Sequence, residues 1–213
     1  MKIKKPLGYY DYTVVLTYMG MLSSFTGILF SINEQFLNAI VCLILAGLCD
    51  MFDGTVASTK ERDLKEKHFG IQIDSLSDLI SFGVMPALFV FMICKKTAVS
   101  AALSGFFVLA ALIRLAYYNV NEEERQNITD DKRAFFQGVP VTTVAVLLPM
   151  VFVLNSNSER KSLVPYLIML VVCGIGFISP IEVKKPGLTG KICLILVGIL
   201  EILGIFFLGW DIV

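Results

Sequence analysis

The sequence predicts an all-α fold: a polytopic integral membrane helix bundle of about six to eight transmembrane helices, with its active site on the cytoplasmic side. Three observations lead there. Hydrophobic residues make up 56% of the chain against 17% charged, and the mean hydropathy is +0.75, outside the range of soluble domains. Apolar segments approach the roughly 20 residues needed to cross a hydrocarbon core about 30 Å thick. Lysine and arginine then fall unevenly on the two sides that such segments define.

Taken in order, the basic start (Lys2, Lys4, Lys5) runs into Tyr9, Tyr10, Asp11 and Tyr12. No cleavable signal peptide is expected from this start, which lacks a short apolar run and a small-residue cleavage site. Residues 1–11 are expected to anchor at the interface, with cations near anionic headgroups and tyrosines at headgroup depth. Seven apolar segments follow: Thr13 to Ile32, Phe36 to Ala57, Ile71 to Cys94, Thr97 to Tyr118, Gln137 to Leu154, Leu163 to Ser179 and Leu188 to Leu208. In the third, Gly83 and Pro86 are expected to bend the helix. The fifth and sixth are short and carry or abut Pro140, Pro149, Pro165 and Pro180. The whole chain, 1–213, reads as one membrane domain, with 155–213 supplying additional C-terminal spans for packing or oligomer contacts. Cys42, Cys49, Cys94, Cys173 and Cys193 sit in or beside apolar segments without metal-type spacing and read as packing residues.

Threading seven spans from an inside N-terminus puts thirteen lysines and arginines on one side and four on the other, with Arg114 inside a span. The richer side is cytoplasmic by the positive-inside rule. Two polar connections lie there, Ser58 to Phe69 and Asn119 to Arg133, and both read as solvated loops. The glycosylation pattern Asn127-Ile128-Thr129 is idle on that side. A net charge of zero gives no reason to expect nucleic acid as a partner.

The stretch LCDMFDGTVAS, residues 48–58, sets carboxylates inside a span. Asp50, Asp53, Gly54 and Ala57 stand at i, i+3, i+4 and i+7, so one helical face carries two acids and then two very small residues. Beyond the loop, Gly70 is followed by Asp74 and Asp78, four apart. Two antiparallel neighbours joined by a short loop bring all four carboxylates to one depth. They could not all stay ionised there without compensation. Oxygen-only ligands suit Mg²⁺, Mn²⁺ or Ca²⁺ rather than zinc or copper. Two ions about 4 Å apart would hold both sides of a phosphoryl displacement. Gly54 and Ala57 would let a nucleotide or pyrophosphate approach the backbone. Helix capping or a transported cation is the alternative.

The string Asp50-x2-Asp53-Gly54-x2-Ala57, then Gly70-x3-Asp74-x3-Asp78, resembles the signature of the CDP-alcohol phosphatidyltransferase family. The resemblance implies an integral membrane enzyme, homodimeric, that moves a phosphatidyl-type group from a CDP-linked lipid to an alcohol. DSLSDLISFGVMPA (Asp74 to Ala87), LIRLAYYN (Leu112 to Asn119) and FQGVPVTT (Phe136 to Thr143) are similar to stretches of the members that use serine, which implies CDP-diacylglycerol and L-serine as substrates. The likeness covers residues 12 to 150, and beyond Leu154 it is hydropathy alone. It carries over Asp50, Asp53 and Asp74 as ligands of Mg²⁺ or Mn²⁺, with Asp78 as a further ligand and the general base. One departure is Ser58, where the family has arginine, and the stretch from there to Gly70 is longer by about three residues. Lys60 or Arg62 is expected to supply the missing cation, so Gly54, Ala57, Ser58, Lys60, Arg62 and Gly70 form the donor-binding set.

Arg114, near the cytoplasmic end of the fourth span, is placed to bind a phosphate or the serine carboxylate. The other reading is snorkelling or a structural ion pair. Gln137, Thr142 and Thr143 are candidates to hydrogen-bond the acceptor. His68 reads as a solvated loop histidine, and Glu201 as hydrogen-bonded to a neighbouring helix or subunit. Ala101 and Gly105 permit a close helix contact. Two rivals remain open: another acceptor or an ether-lipid donor, and a cation transporter using the aspartates as an ion path.

Overall fold

A computed structural model describes residues 7–128, 135–156, 162–184 and 187–208. The basic segment Lys2–Lys5 lies outside them. All seven expected segments form helices: α1 (Val15–Ile32, entered by a 3-10 turn at Tyr12–Val14), α2 (Phe36–Ala57), α3 (Leu64–Asp78) running through a π turn (Leu79–Val84) into α4 (Met85–Ile93), α5 (Ala98–Ile128), α6 (Val144–Ser156), α7 (Val164–Ile178) and α8 (Leu188–Leu208). Four of these paths, Tyr12–Ile32, Phe36–Ala57, Leu64–Ile93 and Ala98–Glu122, are long and apolar enough to cross a membrane, and shorter apolar helices follow.

Three boundaries differ from the sequence reading. The first polar connection is shorter, because Asp63 starts α3 with a reciprocal capping box: its carboxylate accepts from the Glu66 N–H, and Glu66 accepts from the Asp63 N–H. His68 is therefore an exposed residue on a helix, not a loop residue. The second connection is helical as far as Ile128, because its charged residues are helix formers that extend α5 past the apolar stretch. Third, a two-stranded antiparallel ribbon, β1 (Phe135–Gln137) with β2 (Glu182–Lys184), takes the expected start of the fifth segment and part of the connection between the sixth and seventh. Three-residue strands are too short to show a period-two pattern. Gly138 turns the chain out of β1 at φ +73°, and a Cβ there would stand 2.6 Å from the Phe177 carbonyl oxygen, so only glycine fits.

The expected bend in the third span takes the form of the π turn. Pro86 has no N–H to offer the preceding turn, and the helix widens just before it. Around this segment sits the core. Phe82, Met85, Phe89 and Val90 pack with Leu43 of α2, Phe107 of α5, Leu148 of α6 and Leu170 of α7, all buried. The Phe89 ring meets Phe36, Phe152 and Tyr166 at centroid distances of 5.3, 6.0 and 6.4 Å.

Helix α1 positions the site by lying against α2 on one side and against α3, the π turn and α4 on the other. Its inner face is made of Gly20, Ser24, Gly27 and Ser31, all buried. A Cβ on Gly20 would stand 3.2 Å from the Cys49 Cβ, so small residues let the backbones approach. The opposite face (Met19, Leu22, Phe25, Leu29) is exposed and apolar, as a lipid-facing surface must be.

Candidate functional site

The four aspartates converge. Ligand oxygens of Asp50, Asp74 and Asp78 lie within 4.8 Å of one another. Across the two helices the carboxyls meet in antiparallel order, Asp50 with Asp78 and Asp53 with Asp74. The spacings produce this directly: three residues along α2 and four along α3 both return to the same face, and opposite chain directions pair the first acid of one helix with the last of the other. Asp53 is the most buried, 9% exposed, and accepts a hydrogen bond from Thr17 Oγ1 of α1 at 3.2 Å. Ser77 Oγ donates to the Thr17 carbonyl at 3.3 Å, which locks α3 to α1 between the two acids it carries. A small cleft between these helices is lined by Thr17, Asp50, Asp53, Ser77, Asp78 and Ser81.

The donor set fits a hard divalent cation. Oxygen atoms alone converge, within one coordination sphere and among carboxylates that repel one another unless a cation stands between them. Asp50, Asp74 and Asp78 are placed to hold it, with Asp53 beside Asp74. Thr17, Ser77 and Ser81 escaped the sequence reading, because a lone hydroxyl in an apolar helix carries no pattern that separates a site residue from a packing one.

Of the proposed donor set, Gly54 is exposed, and a Cβ there would meet nothing within 4 Å; Ala57 and Ser58 follow one turn on. Ser58 Oγ donates to the Thr55 carbonyl at 2.7 Å. Lys60 Nζ donates to Asp11 Oδ2 at 2.7 Å and to Glu66 Oε1 at 3.3 Å. This pairing holds the Asp11 carboxyl down at about 2 and raises the Lys60 ammonium above its ordinary value. Arg62 Nη1 lies 2.8 Å from where a Cβ on Gly70 would be. Of the N-terminal tyrosines, Tyr12 Oη is 3.0 Å from Thr59 Oγ1 in the α2–α3 connection, and the Tyr9 ring meets that of Phe69 on α3 at 5.4 Å.

Arg114 is 7% exposed on α5, within electrostatic reach of Asp78, and its Nε has no hydrogen-bond partner among the described residues. One turn further, Asn119 accepts from Ser75 Oγ at 2.6 Å and ties α5 to α3. Thr142 and Thr143 lie in a 3-10 turn, Val141–Thr143, that packs against the π turn. Gln137 is exposed in β1 opposite Glu182 and does not line the cleft. Glu201 is 7% exposed, and neither of its carboxyl oxygens has a hydrogen-bond partner among the described residues. Ala101 and Gly105 are exposed on α5, and a Cβ on Gly105 would meet nothing within 4 Å.

Comparison with known proteins accords with this geometry. The sequence profile described as CDP-alcohol phosphatidyltransferase matches residues 13–178, which carries the likeness past Leu154 through α7. A CDP-diacylglycerol–serine O-phosphatidyltransferase of Saccharomyces cerevisiae is 32% identical over 160 residues, 67% of this chain and 57% of that protein. One from Helicobacter pylori is 29% identical over 80% of this chain and 69% of its own length. An archaetidylserine synthase of Methanothermobacter thermautotrophicus is 30% identical over 87% of this chain and 74% of its own length. With the profile spanning most of its length and the aspartates of the signature gathered at one point, this chain belongs to the CDP-alcohol phosphatidyltransferase family.

Proposed function

We propose that this protein transfers the phosphatidyl group of CDP-diacylglycerol to L-serine, giving phosphatidylserine and CMP. The observation that carries the chemistry is the convergence of Asp50, Asp74 and Asp78 within 4.8 Å. Support for serine comes from the relatives' names, which share that acceptor while differing in lipid.

In this reading the serine hydroxyl oxygen bonds to the phosphorus attached to diacylglycerol, and the bond from that phosphorus to the CMP oxygen breaks. Asp78 accepts the hydroxyl proton, since an alcohol is a weak nucleophile at neutral pH. CMP leaves with the electron pair. No covalent enzyme intermediate is needed. A divalent ion, Mg²⁺ or Mn²⁺, supplies charge neutralisation at the diphosphate when bound, and two facing carboxylate pairs support a count of two. Asp50, Asp53, Asp74 and Asp78 would hold the ions. Gly54 and Ala57 leave room for the donor at the end of α2. The buried Arg114, with an unsatisfied N–H near Asp78, takes the serine carboxylate, and Thr142 stands beside the acceptor path.

The site opens on the cytoplasmic side by the lysine and arginine distribution, where both nucleotide and serine are available. The chain acts as one membrane domain and as a homodimer, with the small, exposed Ala101 and Gly105 available for a helix contact.

The test is CMP release by the purified protein with Mn²⁺, comparing serine, glycerol 3-phosphate and inositol phosphate, and CDP-diacylglycerol with its ether-lipid counterpart. Release that depends on serine and disappears in Asp78→Asn supports the proposal. Release with another acceptor removes serine, and release with no acceptor or donor dependence removes the transferase reading.

A further inference from the structure

We infer that Arg62 recognises the nucleotide phosphate of the donor, and that the N-terminal segment holds Arg62 in position through Asp11 and Lys60. The inference rests on the transferase reading and assigns different parts to two cations that the sequence left interchangeable.

Gly70, Asp74 and Asp78 recur every four residues, so they share one face of α3, one 5.4 Å turn apart. The Arg62 guanidinium occupies the first place on that face: Nη1 is 2.8 Å and Cζ 3.8 Å from where a Gly70 Cβ would be. Any other residue at position 70 would push it away. A charged planar group therefore lies one turn toward solvent from Asp74, at the mouth of the carboxylate cluster. A diphosphate drawn into that cluster extends outward by about one helical turn, which brings its nucleotide end to the guanidinium. Arginine suits this contact, because its fork of N–H donors matches two phosphate oxygens.

Lys60 is already committed, at 2.7 Å to Asp11 and 3.3 Å to Glu66. Arg62 makes no ion pair among the described residues. Position 58, at the end of α2, offers only a hydroxyl turned back on the Thr55 carbonyl. Three other residues of the connection are tied down. Thr59 Oγ1 donates to the Val56 carbonyl at 2.7 Å and meets Tyr12 Oη, Lys60 holds Asp11, and Asp63 caps α3. With Lys60 and Asp63 held on either side, the backbone that carries Arg62 is anchored beside the Gly70 seat. Asp11 is itself held by the Thr13 N–H at 2.8 Å, at the start of α1, the helix that carries Thr17 to Asp53. The segment that seats Arg62 is thus continuous with the helix that orders the carboxylates.

The experiment measures binding of CDP, without lipid, to the detergent-purified full-length protein in Mn²⁺ by calorimetry, alongside KM for CDP-diacylglycerol and for serine. Arg62→Ala is expected to weaken CDP by roughly 10- to 100-fold, the range for one charge-assisted contact, and to raise the donor KM without moving the serine KM. Arg62→Lys recovers only part. Gly70→Ala weakens CDP with Arg62 still present. Asp11→Asn and Lys60→Met weaken it by up to about fivefold, as an exposed ion pair does when it acts through another group. Unchanged CDP affinity in Arg62→Ala, or equal rises in the donor and serine KM, overturns the assignment of Arg62 alone. Failure of the wild-type protein to bind CDP with any divalent ion overturns the transferase reading and this assignment together.

Discussion

Replacing Asp50 with Asn separates the cost of the carboxylate cluster from its use. Asp50 faces Asp74 and Asp78 with ligand oxygens no more than 4.8 Å apart. At that distance two unit charges would repel by about 3.5 kcal/mol for an effective dielectric of about 20, a cost the metal-free cluster bears as repulsion or lowers by holding protons between its carboxylates. Water in the open cleft and the polar amide that replaces the carboxylate reduce the recoverable part to about 1–2 kcal/mol. Asp50→Asn is therefore expected to be more stable than wild type in EDTA, by on the order of 2–6 °C in melting temperature. With Mn²⁺ the order reverses. Wild type gains about 2.7 kcal/mol at a hundredfold excess over the dissociation constant, whereas the variant, short of one ligand and one charge, gains little. The assay is thermal unfolding of the detergent-purified protein, followed by tryptophan-independent thiol labelling of its buried free cysteines, such as Cys42 and Cys173, across a Mn²⁺ titration. A variant less stable than wild type in EDTA, or stabilised by Mn²⁺ to the same extent, refutes the metal reading of the cluster.

Other expectations follow from single contacts. Arg114→Met removes an unpartnered Nε donor but also the cation that faces Asp78, so kinetics decide: the serine KM should rise at least tenfold while the donor KM holds, and a normal serine KM contradicts this. Gly138→Ala places a Cβ 2.6 Å from the Phe177 carbonyl at φ +73° and is expected to cost about 2–4 kcal/mol of stability, measured by melting. The Asp11–Lys60 pair sets a pH window. Asp11, lowered to about 2, contributes stability that is complete above its ordinary 3.8 and is lost as pH falls from there toward 2; Lys60, raised above 10.5, contributes below 10.5 and loses it as pH rises through the raised value. Hydrogen exchange of residues 8–14, corrected for intrinsic rate, should therefore stay flat between about pH 4 and 10 and rise outside it; a rise centred near neutrality would show that the pair does not hold the segment.

What the sequence reveals here and what it conceals have a common cause. The aspartates were legible because helical periodicity alone fixes which residues share a face, and each pair is local to one helix. The order of pairing, Asp50 with Asp78 and Asp53 with Asp74, then needs only that the helices run in opposite directions. The extent of α3 was hidden because hydropathy marks where a chain can enter lipid, not where a helix begins. Asp63 and Glu66 start the helix seven residues before the apolar stretch. The ribbon was hidden because its two strands lie far apart in sequence and each is too short to carry a pattern.

The division between Lys60 and Arg62 lies in the same class. Both are cations in one connection, and composition cannot separate them. The separation comes from Asp11, 49 residues before Lys60, which takes one cation, and from Gly70, whose missing side chain seats the other. The sequence places Gly70 in the donor-binding set without saying how it acts. On the proposed reading, with Arg62 seated there, the donor meets a guanidinium at that position rather than bare backbone, so the glycine acts on the nucleotide through the arginine it admits. This is why Gly70→Ala and Arg62→Ala should impair CDP binding in the same direction and, combined, by little more than either alone. Additive losses in the double variant would mean that the two residues contact the donor independently.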